Sequence, residues 1–272
     1  MIVPGWPGSM LIVGCGNMGG AMLTGWLRGG IEPSRFTVVD PYMASAPDGV
    51  TLLRDLAELG GKGFDCVLIG VKPQMLDDVA PKLVPLAGEN AVVLSILAGV
   101  ELASLARRFP GAGGLVRIMP NLSAAIGKSP VALAGAGEVL SRKEAVTALM
   151  APLGTPEWID ESLFDLVTAL AGSGPAFVYR FIDALAAGAA ELGLDPAQAQ
   201  RLALATVEGA SLLAASSDAS PGELARRVAS PGGTTQAGLD VLDAGQAIQS
   251  LAISTLRAAA DRSAEMARAA RG

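Results

Sequence analysis

Histidine is absent from this chain of 272 residues. Its absence removes imidazole zinc sites, serine–histidine triads and the histidine general acid of many hydroxyacid dehydrogenases. Cysteine occurs only twice. Cys15 lies in a glycine-rich stretch and Cys66 in an apolar run, neither in a metal-spaced cluster, so no metal site is expected and both thiols fit a reducing compartment. Aromatics make up 4% of the residues. Basic residues are outnumbered, 20 against 26 acidic, for a net charge of -6. With no basic cluster, a nucleic-acid partner is not expected. Long uncharged runs are also missing: "FDCVLIGVK" stops at Lys72, and "PAFVYRFIDALAAG" carries Arg180 and Asp183, so no membrane span is expected. The opening "MIVPGWPGSM" has no basic n-region, and the expected location is the cytoplasm.

What the chain does have is apolar mass, 51% of its residues with a mean hydropathy of +0.45, enough for a substantial core. From residue 10 to about 160, "MLIVG", "FTVVD", "DCVLIGV", "AVVLSILAG", "GLVRIMP" and "PVALAGA" alternate with helical patterns. That alternation predicts a parallel, doubly wound α/β sheet. Capping boxes are expected at Ser141 with Glu144 and at Ser220 with Glu223, and "EWID" is expected to add an edge strand. After Ser162 strand signals give way to alanine-rich helical patterns, started by Pro175 and by Asp195-Pro196. The expected division is a dinucleotide-binding domain over 1–161 and a helical domain over 162–272. Apolar helical faces this long predict subunit pairing.

"LIVGCGNMGGAM" places Gly14, Gly16 and Gly19 between a strand and a helix, the setting of a dinucleotide fingerprint. Gly14 permits the tight turn and Gly16 admits the pyrophosphate. The helix from near Asn17 aims N–H groups and its positive end at the phosphates. The next strand ends at Asp40, where a carboxylate accepts from a ribose 2′-OH and repels a 2′-phosphate, favouring NAD over NADP. The alternative is an aspartate that starts the turn before Pro41.

Together with "GVKPQ" (70–74), "SILAGV" (95–100), "TALAGSGPAFVY" (168–179) and "VASPGGTTQAGL" (228–239), the fingerprint resembles the pyrroline-5-carboxylate reductase family from Met10 onward, leaving the first nine residues as an addition. The resemblance implies a Rossmann domain followed by an all-α dimerisation and substrate-binding domain. It also implies NAD(P)H-dependent reduction of the C=N bond of Δ1-pyrroline-5-carboxylate to L-proline. On the matching positions it implies that Gly14, Cys15, Gly16, Asn17 and Met18 hold the pyrophosphate, with Val13 also counted among the cofactor-binding residues. Val71, Lys72 and Pro73 would border the nicotinamide ribose, and Ala98 would lie beside the nicotinamide.

A cyclic imine that carries a carboxylate needs an anion site and a donor at its ring nitrogen. Ser230, Gly233, Thr234 and Thr235 can supply both at a helix N-terminus through backbone N–H groups and a threonine hydroxyl, and the family resemblance implies Thr235 as the donor to the nitrogen. Lys72 is a candidate cofactor-orienting group or proton donor, or a solvated strand-end lysine. Ser173 lines the substrate pocket or serves an interdomain turn, and Asn121, at a strand's carboxyl end, is a candidate pocket residue. A β-hydroxyacid dehydrogenase would need a lysine where this chain has Val178, and no lysine follows Lys143. A non-catalytic NAD sensor would leave Ser230–Thr235 unexplained.

Overall fold

The computed structural model describes residues 6–271. They divide into two compact units: one runs to Ser173 and takes back the chain from Ala258 onward, and the other is Gly174–Arg257.

The first unit is built on eight strands: β1 (Met10–Val13), β2 (Phe36–Val39), β3 (Thr51–Leu53), β4 (Cys66–Ile69), β5 (Val92–Ser95), β6 (Gly114–Met119), β7 (Ser129–Ala136) and β8 (Gly154–Trp158). Their order in the sheet is β3-β2-β1-β4-β5-β6-β7-β8. The chain winds outward from β1 through β2 to β3, then returns to β4 on the other side of β1. The switch point therefore falls between β1 and β4, where open α/β sheets leave a crevice at their carboxyl ends. Every neighbouring pair is parallel except β6 and β7. That exception departs from the parallel expectation. Residues 120–128 hold only a short 3-10 turn, Leu122–Ile126, and returning a strand in parallel takes a crossover of a dozen or more residues.

Helices α1 (Asn17–Arg28), α2 (Leu76–Leu83), α3 (Leu102–Arg108), α4 (Lys143–Met150) and α5 (Phe164–Val167) complete this part of the chain. Successive strand residues point to opposite faces, and both faces of the central strands are buried, which is why "MLIV" and "CVLI" are continuous apolar runs. Met10, Ile12, Leu68 and Leu94 face one core with Trp26, whereas Leu11, Val13, Val67, Ile69 and Val93 face the other with Leu83 and Leu105. The Trp26 indole N–H, fully buried, donates to the Leu149 carbonyl at 2.8 Å.

An edge strand does form, but as β8 over Gly154–Trp158, so only Glu157 and Trp158 of "EWID" belong to it. The box at Ser141 and Glu144 does not form: residues 137–142 are a 3-10 stretch, so α4 starts one residue later with Arg142 at its N-cap position. Phe164, Ala169 and Ala171 are buried in the first unit, which carries its boundary past residue 161 to Ser173. Of the nine opening residues, the first five lie outside the described residues. The other four are integrated: Trp6 lies against the core, and Ser9 exchanges two hydrogen bonds with Asp65.

The second unit is helical: α6 (Gly174–Glu191), α7 (Pro196–Ala215), α8 (Pro221–Val228), α9 (Thr234–Asp243) and the first part, to Arg257, of α10 (Ala247–Arg271). Asp195 caps α7 ahead of Pro196, and Ser220 with Glu223 forms the expected box on α8. In α6 and α7 only alanines are buried, Ala186, Ala199 and Ala203, while Phe181, Leu185, Leu202 and Leu213 stand exposed. No helix among the described residues is long and apolar enough to cross a membrane.

Candidate active site

The glycine-rich loop leaves β1 at Gly14 with φ +84°, a conformation that favours glycine. Across the switch point Gly70 follows β4, and its N–H donates to the Val13 carbonyl at 2.8 Å. A Cβ on Gly14 would stand 2.8 Å from the Gly70 carbonyl carbon and the Val71 nitrogen, and one on Gly70 would stand 2.5 Å from the Gly14 oxygen. Gly16 is different: a Cβ there would meet nothing within 4 Å. It is the N-cap residue of α1 and makes no side-chain cap. The start of α1 is thus an open hollow edged by backbone N–H groups, with Gly16 and Asn17 exposed, Met18 half-buried and the helix dipole pointing outward. A dinucleotide pyrophosphate fits this hollow in charge and donor type.

Asp40 closes the loop from the side. Its Oδ2 accepts from the Cys15 N–H at 2.7 Å, and its Oδ1 accepts from Tyr42 N at 2.8 Å and Met43 N at 3.1 Å. The aspartate therefore builds the turn before Pro41, and of the four or so lone-pair positions of a carboxylate this leaves about one for a ribose hydroxyl. Burial, and next the Asp40 carboxylate, push the Cys15 thiol up to about 11. Burial likewise raises the Cys66 thiol.

Val71 and Pro73 are half-buried, and Lys72 is exposed at the start of the turn Pro73–Met75. Pro73 and the exposed Ala98 line one cavity of about 510 Å³, which Gly99, Glu101, Arg107 and Met266 also border. Asn121 is buried and its amide is engaged on both sides: Nδ2 donates to the Ala171 carbonyl at 3.0 Å, and Oδ1 accepts from Ser123 N at 2.9 Å. It ties the end of β6 to the segment that leads into the half-buried Ser173.

Ser230–Thr235 belongs to the second unit. Gly232 has φ +69°, and the Gly233 N–H donates to the Ser230 carbonyl at 2.9 Å. A Cβ on Gly233 would lie 2.4 Å from Ser230 Oγ, so any other residue there would make that hydroxyl turn away. Thr234 and Thr235 are the first two residues of α9, Gly233 is its N-cap, and no side chain caps the helix. The hydroxyls sit inside the first turn instead of ahead of it, which leaves the first N–H groups of α9 without a side-chain acceptor.

Sequence reasoning missed three features: Gly70, Arg54 and an ion pair between a buried arginine and a half-buried glutamate. Arg117 Nη1 donates to Glu161 Oε1 at 2.8 Å, its guanidinium lies 4.0 Å from the centre of the Phe164 ring, and the same Glu161 oxygen accepts from Leu102 N at 2.7 Å. The glycine before "VKPQ" could have been found as a strand-end glycine facing a second glycine loop. Nothing in a sequence pairs Arg117 with Glu161.

The fold and the loop at its switch point define a nicotinamide-dinucleotide oxidoreductase. Residues 161–266 match the family model described as pyrroline-5-carboxylate reductase dimerisation, and residues 9–99 match that of NADP oxidoreductase, coenzyme F420-dependent. A pyrroline-5-carboxylate reductase of Pisum sativum is 34% identical over 93% of this chain and 94% of its own. The solved structure of one from Coxiella burnetii superposes with a TM-score of 0.86 at 29% identity, over 94% of this chain and 97% of that one. One from Plasmodium falciparum, with NADP bound, superposes with a TM-score of 0.80 at 25% identity, over 95% and 98%. The chain belongs to the pyrroline-5-carboxylate reductase family.

Proposed function

We propose that this chain reduces Δ1-pyrroline-5-carboxylate to L-proline with NAD(P)H, NADH being the preferred form. The observation that carries the substrate reading is the uncapped start of α9. Its free N–H groups and positive dipole end suit the substrate carboxylate, and Gly233 lets the backbone come close. In this reading Thr234 gives its backbone N–H to the carboxylate, Thr235 donates its hydroxyl at the ring nitrogen, and Ser230 and Ser173 line the pocket. Asn121 acts by holding the segment before Ser173. When bound, NAD(P)H supplies the hydride. The residues Gly14–Met18, with Val13 behind them, would hold its pyrophosphate, Val71–Pro73 and Ala98 would border its nicotinamide half, and Lys72 would orient it. An imine already protonated from solvent needs no strong acid at the nitrogen, in keeping with a chain without histidine.

The NADH preference is supported by Asp40, whose charge opposes a 2′-phosphate. The helical second unit is assigned to dimerisation and substrate binding, and its exposed Phe181, Leu185, Leu202 and Leu213 support a homodimer. The cytoplasm is the compartment this reading assigns. Steady-state assays test the activity: NADH oxidation should begin only when pyrroline-5-carboxylate is added. Purified dimer that leaves NADH untouched with that substrate overturns the proposal.

A further inference from the structure

The loop that follows β2 is clamped from both sides. From within, the Asp40 carboxylate takes the N–H groups of Tyr42 and Met43. From outside, the guanidinium of Arg54, the residue after the edge strand β3, donates to the carbonyls of Asp40 at 3.1 Å and Ala44 at 3.2 Å, and to that of Met43. Arg54 is itself fixed. Its backbone N–H and that of Asp55 both donate to Glu58 Oε1 at 2.8 Å, in a capping box that Asp55 completes by accepting from Ala57 N. The planar guanidinium carries five donors in a rigid fork, a geometry that one ammonium cannot reproduce across three carbonyls.

We propose that Arg54 is the positioning residue for the adenosine end of the coenzyme. It holds residues 40–44 in the one backbone course that keeps Asp40 against the glycine-rich loop and presents the exposed Tyr42 beside it. The proposal rests on the coenzyme reading above. Three of the five N–H groups of Arg54 are engaged on the loop's carbonyls, so its proposed role is to hold the loop and not to bind a 2′-phosphate. Its loss weakens phosphorylated and unphosphorylated coenzymes alike. Because Arg54 lies at the β3 edge of the sheet, far in strand order from β5 and its loop at Ala98, the hydride-transfer end is untouched.

Calorimetric titration of ADP-ribose and of 2′-phospho-ADP-ribose, which bind without reacting, tests this directly on the whole protein. Arg54→Ala should raise Kd for both by about tenfold, the effect of losing roughly one charge-assisted hydrogen bond, and should raise KM for NADH while kcat at saturation stays within twofold. Arg54→Lys should fall between wild type and Ala, and carries the test if Arg54→Ala does not fold. A Kd for ADP-ribose within twofold of wild type in both variants overturns the proposal. So does a loss confined to 2′-phospho-ADP-ribose, which would make Arg54 a phosphate ligand, or a fall in kcat with unchanged KM. Wild-type protein that binds neither ADP-ribose nor NADH would fail the coenzyme reading itself, a different result from any of these.

Discussion

Gly14 and Gly70 meet across the switch point of the sheet so closely that neither has room for a side chain: a Cβ on Gly70 would press to 2.5 Å on the Gly14 carbonyl oxygen. The obstacle is backbone on both sides and cannot rotate away. Gly70→Ala should therefore displace the glycine-rich loop, costing about 1–3 kcal/mol of stability as overpacking does. NADH affinity should fall at least about tenfold, the equivalent of 1.4 kcal/mol. Fluorescence titration and thermal unfolding check both, and a Gly70→Ala enzyme with unchanged coenzyme affinity would show that the loop can yield.

Coenzyme choice turns on Asp40. The wild-type enzyme should show a higher kcat/KM with NADH than with NADPH. Asp40→Ser should narrow that ratio, since a charge-assisted bond of this kind is worth about 1.5–3 kcal/mol. It should also lower activity with NADH, because the carboxylate holds Cys15, Tyr42 and Met43 in place. A wild-type preference for NADPH would sink the assignment.

The two threonines at the start of α9 should behave differently. Thr235→Ala removes the proposed donor to the imine nitrogen and should lower kcat/KM by roughly ten- to several-hundred-fold with NADH binding unchanged. Thr234→Ala keeps its backbone N–H and should be mild. Equal losses in the two variants would show a site built otherwise, and a loss of NADH affinity alone would move the segment to coenzyme binding.

Cys15 should be inert at neutral pH despite its place in the nucleotide loop. Burial and Asp40 hold its folded value near 11 against 9.0 for an ordinary thiol, so alkylation of the native protein should stay slow and accelerate as pH climbs toward 11. The sign for stability follows: the raised value favours the folded state fully below pH 9, and that contribution drains away as pH rises from 9 to 11. Rapid labelling of Cys15 at pH 7.5, located by peptide mass, would contradict this.

The nucleotide half was legible because its signals are local. A buried parallel strand is a run of apolar residues, and a phosphate-binding turn is a spacing of glycines that "LIVGCGNMGG" displays outright. β3 was not legible, since "TLL" is three residues long at an exposed edge and has no apolar run to announce it. The reversed direction of β7 was hidden for another reason, as an apolar run carries no polarity and only the short connection before it decides. The Ser-Pro-Gly-Gly-Thr-Thr segment was visible as a helix start, but the absence of a side-chain cap was not, because both threonines are good capping residues in the abstract. Arg54 and the Arg117–Glu161 pair depend on contacts between elements distant in the chain, which single-sequence patterns do not encode.

The return of the chain at Ala258 to the first unit also fixes an order of events in synthesis. Ser263 Oγ donates to Asp165 at 2.7 Å, and Ala267 lies against Gly99, where a Cβ would come within 3.1 Å of its Cα. Domains commonly fold as units while the chain emerges from the ribosome, yet this nucleotide-binding unit cannot gather its last contacts until residue 267 has cleared the exit tunnel. Helices α6 to α9 of the second unit, translated earlier than that final segment, are free to form first, so the half of the protein made first is the half finished last.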